Sequence, residues 1–155
     1  MSNKPVTDAL KKALADTYTL MIKTHNYHWN VEGPDFRGLH MMFEEQYTEL
    51  FAAVDVIAER IRALGEKAPA SMSEFSKLTK IKDGNNANDA AAMLADLHAS
   101  NLQAAETMKK LFEVTEKAED GASNDLSNQR RAAHEKAAWM LRASLPKGAK
   151  LKLAV

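Results

Sequence analysis

At 155 residues, 45% hydrophobic and 27% charged, the chain has the make-up of one globular domain over 1–155 with a sizeable core and short tails at 1–5 and 146–155. Basic and acidic residues balance at 21 each, which excludes an overall basic field drawing in nucleic acid, and the absence of cysteine excludes disulfides and thiolate metal sites. No apolar run approaches the ~20 residues of a membrane span, and MSNKPVTDALKK lacks a signal-peptide core, so a cytoplasmic protein with no membrane partner is expected.

Pro5 suits a first helical turn, and Leu10, Leu14, Tyr18, Met21, His25 and His28 continue one stripe, predicting a helix to about Val31. On that stripe His25 reads as a hydrogen-bonded core histidine. Pro34 then breaks the helix, and Asp35 is the expected N-cap of the next. Phe36, Leu39, Phe43, Tyr47, Leu50, Val54, Ile57, Ile61 and Leu64 recur at steps of three and four, predicting a long helix closed by Gly65.

Between Gly65 and Asn88 the connection is too long for a tight turn, and a short helix over 73–80 is expected there with Ser73 as its cap. A third long helix opens near Asn88-Asp89, turns Leu94, Leu97, Ala105, Met108 and Leu111 inward, and fades at Glu119-Asp120-Gly121. A fourth runs from about Asn124 to Leu145, before Pro146. His98 reads as a flank residue, His134 as a partner of a neighbouring glutamate such as Glu135, and Met41, Met42, Met72 and Met140 as filler. The result is an all-α up-down four-helix bundle with a short helix in one long crossover.

Chemistry collects on the second helix. At ~100° per residue, His40, Glu44, Asp55 and Glu59 share one face, set apart from the apolar stripe. Phe51, Ala52 and Ala58 lie there too, so this face is expected to be covered. His40 and Asp55 are fifteen residues apart, or ~22 Å along a helix. One metal with ligand bonds of ~2 Å cannot reach both within one chain. Either two half-sites exist, or a two-fold axis sets the His40 end of one copy beside the Asp55/Glu59 end of another and makes two equivalent sites. His28, just before the break, can join the His40 end.

For Asp55 and Glu59 alone, a face salt-bridged to Arg60 and Arg62 is the simpler account. His40 on the same face, and no lysine anywhere in this helix, favour metal. The sequence contains no Glu-x-x-His, the pair that builds di-iron sites inside a bundle, which again points to an interface. Oxygen and imidazole ligands suit Fe(II), with Mn(II) or Zn(II) as substitutes.

HNYHWNVEGPDFRGLH (25–40), DVIAERI (55–61) and HEKAAWMLR (134–142) together resemble the Dps family, the mini-ferritins called DNA-binding proteins from starved cells. The resemblance implies a ferritin-like bundle assembled as a hollow homododecamer of 23 symmetry. Each interfacial site would take two irons from Fe(II) to Fe(III), with hydrogen peroxide as oxidant. It implies His28, His40, Asp55 and Glu59 as the ferroxidase residues, with Glu44 as a further ligand. Many members carry Asp at that last position, and the longer glutamate bears on the loosely held second iron. It also suggests Asp120 and Asp125 as pore acids, while Trp29, beside His28, reads as packing or, next to an oxidising iron, as a sacrificial electron donor. A rival reading is DNA compaction through Lys147, Lys150 and Lys152, with nucleoid association.

Overall fold

The computed structural model describes residues 3–151. Among them every regular element is helical: α1 (Lys4–Asn30), α2 (Phe36–Ala63), α3 (Met72–Leu78), α4 (Ala90–Lys117) and α5 (Gly121–Ala143). None of these helices is long and apolar enough to cross a membrane.

Each helix end has a local cause. Pro5 lies in the first turn of α1, where a missing N–H costs nothing. Gly33, at φ +118°, turns the chain into Pro34. Asp35 stands at the head of α2, but contrary to expectation its carboxylate caps no backbone N–H. At the other end of α2, Gly65 takes φ +93°, and its N–H and that of Glu66 close back onto the carbonyls of Arg62 and Ile61. That is the paired closure a left-handed residue makes possible.

Two expected boundaries move. The short helix α3 begins at Met72 and is capped by Ser71, not Ser73. Ser71 Oγ accepts from the Glu74 N–H at 3.3 Å, while the Glu74 carboxylate accepts from Ser71 Oγ and from the Ala70 N–H. This reciprocal Ser-x-x-Glu pair sets the register. Likewise α5 begins at Gly121 and not near Asn124, because Asp120 caps it through the Ser123 N–H and hydroxyl, at 3.1 and 2.6 Å.

Side-chain bonds fix the topology. Lys23 and Tyr27, late in α1, meet Asp96, early in α4, whereas Asp16 meets Thr107 further along α4. So α1 and α4 are antiparallel. The short turn at 31–35 makes α2 antiparallel to α1, and α2 therefore runs parallel to α4, as the long crossover allows. Buried Asp16 ties that crossover down, accepting from Thr79 Oγ1, the Lys80 N–H and Thr107 Oγ1 at 2.6–2.7 Å. Tyr27 does the same higher up. Its hydroxyl donates to Asp96 and accepts from the Asn85 N–H, and burial with that Asp96 bond pushes its pKa up to about 12.

The apolar core has two centres, one around Leu20, Phe43, Leu94, Leu97 and Leu141 and the other around Leu10, Leu14, Ile57, Ile61, Phe75 and Met108. Helix α1 packs on α2, α3 and α4, and α4 on α5, but α2 and α5 meet only sparsely.

Several expected exposures are reversed. Phe36, placed on the core stripe, is 42% exposed, and Met41 and Met72 are exposed rather than filler. His98, read as a flank residue, is 5% exposed, and both its ring nitrogens are buried without a partner. His134 is 1% exposed and bonds Asn101 rather than a glutamate; Glu135 pairs instead with Arg131.

Candidate metal centre

The turn between α1 and α2 brings the last turns of one helix against the first turns of the next. His28 and His40 meet there with their rings stacked, centroids 3.7 Å apart and planes 13° from parallel. Each ring bonds the other residue's backbone: His28 Nδ1 lies 2.7 Å from the His40 carbonyl, and His40 Nδ1 lies 2.7 Å from the His28 carbonyl. A carbonyl can only accept, so both Nδ1 atoms carry hydrogen. In the neutral rings Nε2 is then the lone-pair nitrogen, free to ligate. This is the outer-shell bond that orients metal-binding histidines.

Aromatic rings enclose the pair. Phe36 stacks on His40 at 5.0 Å, and Tyr47 presents its edge to His28 at 5.2 Å. His25 is not the hydrogen-bonded core residue expected. It is half-buried between Trp29 and Tyr47, at 3.9 and 4.2 Å, and burial followed by the nearness of His28 lowers its pKa. Trp29 itself is 64% exposed. Glu44, one turn beyond His40, is exposed as well.

Asp55 and Glu59 lie toward the far end of α2, both exposed. The arginines that could have neutralised them face elsewhere. Arg60 donates to Asp120 at 2.7 Å and to Ser123 at 2.9 Å, and Arg62 donates to the Glu66 carbonyl. Among the described residues no ion pair involves Asp55 or Glu59. Beside them Phe51 is 65% exposed and Val56 is exposed too. No three His, Asp or Glu side chains converge within the described chain. The imidazoles and the acids are two halves at opposite ends of one helix face.

A family model for the ferritin-like domain matches residues 7–151. DNA protection during starvation protein 2 of Bacillus anthracis is 38% identical over 143 residues, 92% of this chain and 98% of that protein. The chain is a member of the Dps branch of the ferritin-like family. The crystal structure of a Dps protein from Bacillus brevis superposes with a TM-score of 0.88 at 33% identity, covering 91% of this chain and 95% of that one. The Dps protein of Vibrio cholerae O1, described as belonging to a superfamily of ferritin-like diiron-carboxylate proteins, gives 0.87 at 29% identity, covering 92% and 89%.

The remaining expected residues of this Dps chain are scattered. Asp120 is engaged by its cap and by Arg60; hydrogen bonds to Ser123 and the Arg60 charge outweigh burial and hold its carboxyl below the usual range. Asp125, one turn on, is exposed and lines a cleft with Val56 and Glu59. Lys147 and Lys150 are exposed beyond α5, and Lys152 lies outside the described residues. Sequence reasoning placed Tyr47 in the core stripe and missed its role as a wall of the histidine pair. Its position two turns after His40 was the available signal.

Proposed function

We propose that this chain oxidises Fe(II) at sites shared by two-fold-related copies and stores the ferric product inside a hollow dodecamer. His28 and His40, with Glu44 reaching in, come from one copy; Asp55 and Glu59 of its neighbour complete a site for two irons. The observation that carries the reading is the reciprocally bonded histidine pair. It offers two Nε2 lone pairs at one end of a helix face whose other end carries two unneutralised carboxylates. Exposed Phe51 and Val56 beside those acids supply apolar surface for the covering copy.

Iron is substrate here. Two Fe(II) give up one electron each to hydrogen peroxide, whose O–O bond breaks to leave two hydroxides, so no hydroxyl radical is released. The protein's part is to hold both irons on oxygen and imidazole donors, which Zn(II) or Mn(II) also fit and can block. Removing iron and peroxide together would shield DNA in the cytoplasm, in keeping with the relative named for DNA protection.

The test is anaerobic Fe(II) loading followed by a peroxide pulse, with absorbance tracking oxidation. The expected result is rapid oxidation with two irons consumed per peroxide, lost in Asp55→Ala/Glu59→Ala. If both proteins behave like free iron, the ligand assignment is wrong. Exposed Lys147 and Lys150 support a second reading, contact with DNA phosphates. Deleting residues 147–155 should then abolish any gel retardation at low salt, and unchanged retardation removes the tail from consideration.

A further inference from the structure

Arg60 follows Glu59 on α2, and both side chains line one cleft with Ala122, Asp125 and Gln129 of α5. A guanidinium one residue from a ligand carboxylate opposes the uptake of a cation, and the repulsion doubles for a divalent one. In this fold that charge is met. Arg60 donates to Asp120 Oδ1 at 2.7 Å and, through Nε, to Ser123 Oγ at 2.9 Å. Ser123 in turn gives its hydroxyl hydrogen to Asp120 Oδ2 at 2.6 Å. Two N–H groups of one planar fork thus point at the start of α5, an arrangement that fixes the guanidinium in place. The Arg60 and Asp120 side chains are 26% and 14% exposed, and Ser123 is fully buried, so solvent and salt screen this pair less than a surface pair.

Capping α5 does not require a charge at position 120. Asparagine serves as an N-cap as well as aspartate does, and its side-chain oxygen still accepts from the Ser123 N–H and hydroxyl. What aspartate alone supplies is the negative charge opposite Arg60. Asp55 and Glu59 take part in no ion pair among the described residues. The charge balance at their end of α2 is therefore set from another helix end, by Asp120.

We propose that Asp120 is a positioning residue for the Fe(II) site. It acts through Arg60, holding the guanidinium on α5 and cancelling its charge, so that Asp55 and Glu59 keep their full attraction for the metal. This role rests on the ligand assignment made above. It differs from that of a pore acid, which changes how fast iron arrives but not how tightly it is held at equilibrium.

The experiment measures Fe(II) binding at equilibrium, anaerobically and without oxidant, in low and moderate salt. Four assembled full-length proteins are compared: unmodified, Asp120→Asn, Arg60→Gln and the double variant. Asp120→Asn leaves the Arg60 charge uncompensated and should weaken Fe(II) binding about tenfold at low salt, and less as salt rises. Arg60→Gln should bind no more weakly than the unmodified protein. The double variant, with both charges gone, should return to within about twofold of it. A purely structural role gives the opposite order, in which both single variants weaken binding and the double variant weakens it most. That order, or equal binding in all four, overturns the role of Asp120. Asp55→Ala/Glu59→Ala separates the two levels. If binding is lost there while the four proteins behave alike, only the part given to Asp120 falls. If binding persists there, the ligand assignment falls and this role with it.

Discussion

His28 and His40 each hold the other's backbone: the Nδ1 of one bonds the carbonyl of the other, both at 2.7 Å, across stacked rings. Neither ring can turn its Nε2 inward without breaking a bond, so the orientation of both rings is set by the fold itself.

If the acids that complete the site come from another copy, two inactive chains can rescue each other. His40→Ala and Glu59→Ala should each lower the initial rate of iron oxidation at least about tenfold. Co-assembled from an equal mixture, half the two-fold pairs are mixed, and each mixed pair holds one intact site and one doubly broken site. About a quarter of the unmodified activity should therefore return. Iron-oxidation assays on co-refolded chains check this, and zero recovery would overturn the site shared between copies.

Asp16 is the anchor of the crossover. Asp16→Ala leaves three donors without their acceptor and should cost about 3 kcal/mol. Urea unfolding measures the loss, and limited proteolysis should show earlier cleavage between residues 64 and 89.

Glu119 ends α4 at φ +55°, a left-handed conformation in which its Cβ is a burden; among the described non-glycine residues it alone has positive φ. Glu119→Gly should raise stability by about 0.5–1 kcal/mol, read as a shift in thermal midpoint.

Burial, reinforced by the Arg130 charge, pushes the pKa of His134 down to about 3. Unfolded, the same ring titrates near ~6.5. Between these values the unfolded chain binds a proton the folded chain refuses, so this histidine's contribution is intact above pH ~6.5 and is lost as pH falls. At pH 5 the loss should be about 2 kcal/mol. In His134→Leu that part of the slope disappears, which denaturant midpoints at pH 7 and 5 can measure.

Much of this protein is written locally. Apolar steps of three and four located the long helices to within a few residues, because helix periodicity depends only on neighbours along the chain. The fifteen-residue gap between His40 and Asp55 was equally legible, since a helix converts sequence separation into a fixed length. Where a side chain has several possible partners, the sequence left the matter open. Arg60 could as well have neutralised Glu59, one residue away, yet folding turns it to Asp120 and Ser123, sixty residues on. His134 stands next to Glu135 in sequence, but the packing of α4 on α5 buries it against Asn101 and leaves its other nitrogen without a hydrogen-bond partner among the described residues. The spacing of the candidate ligands along the chain came from the sequence alone. Which carboxylates stay unpaired, and which histidine nitrogens stay free, was decided by tertiary contacts, because a hydrogen bond forms with whatever group the folded chain brings within about 3 Å.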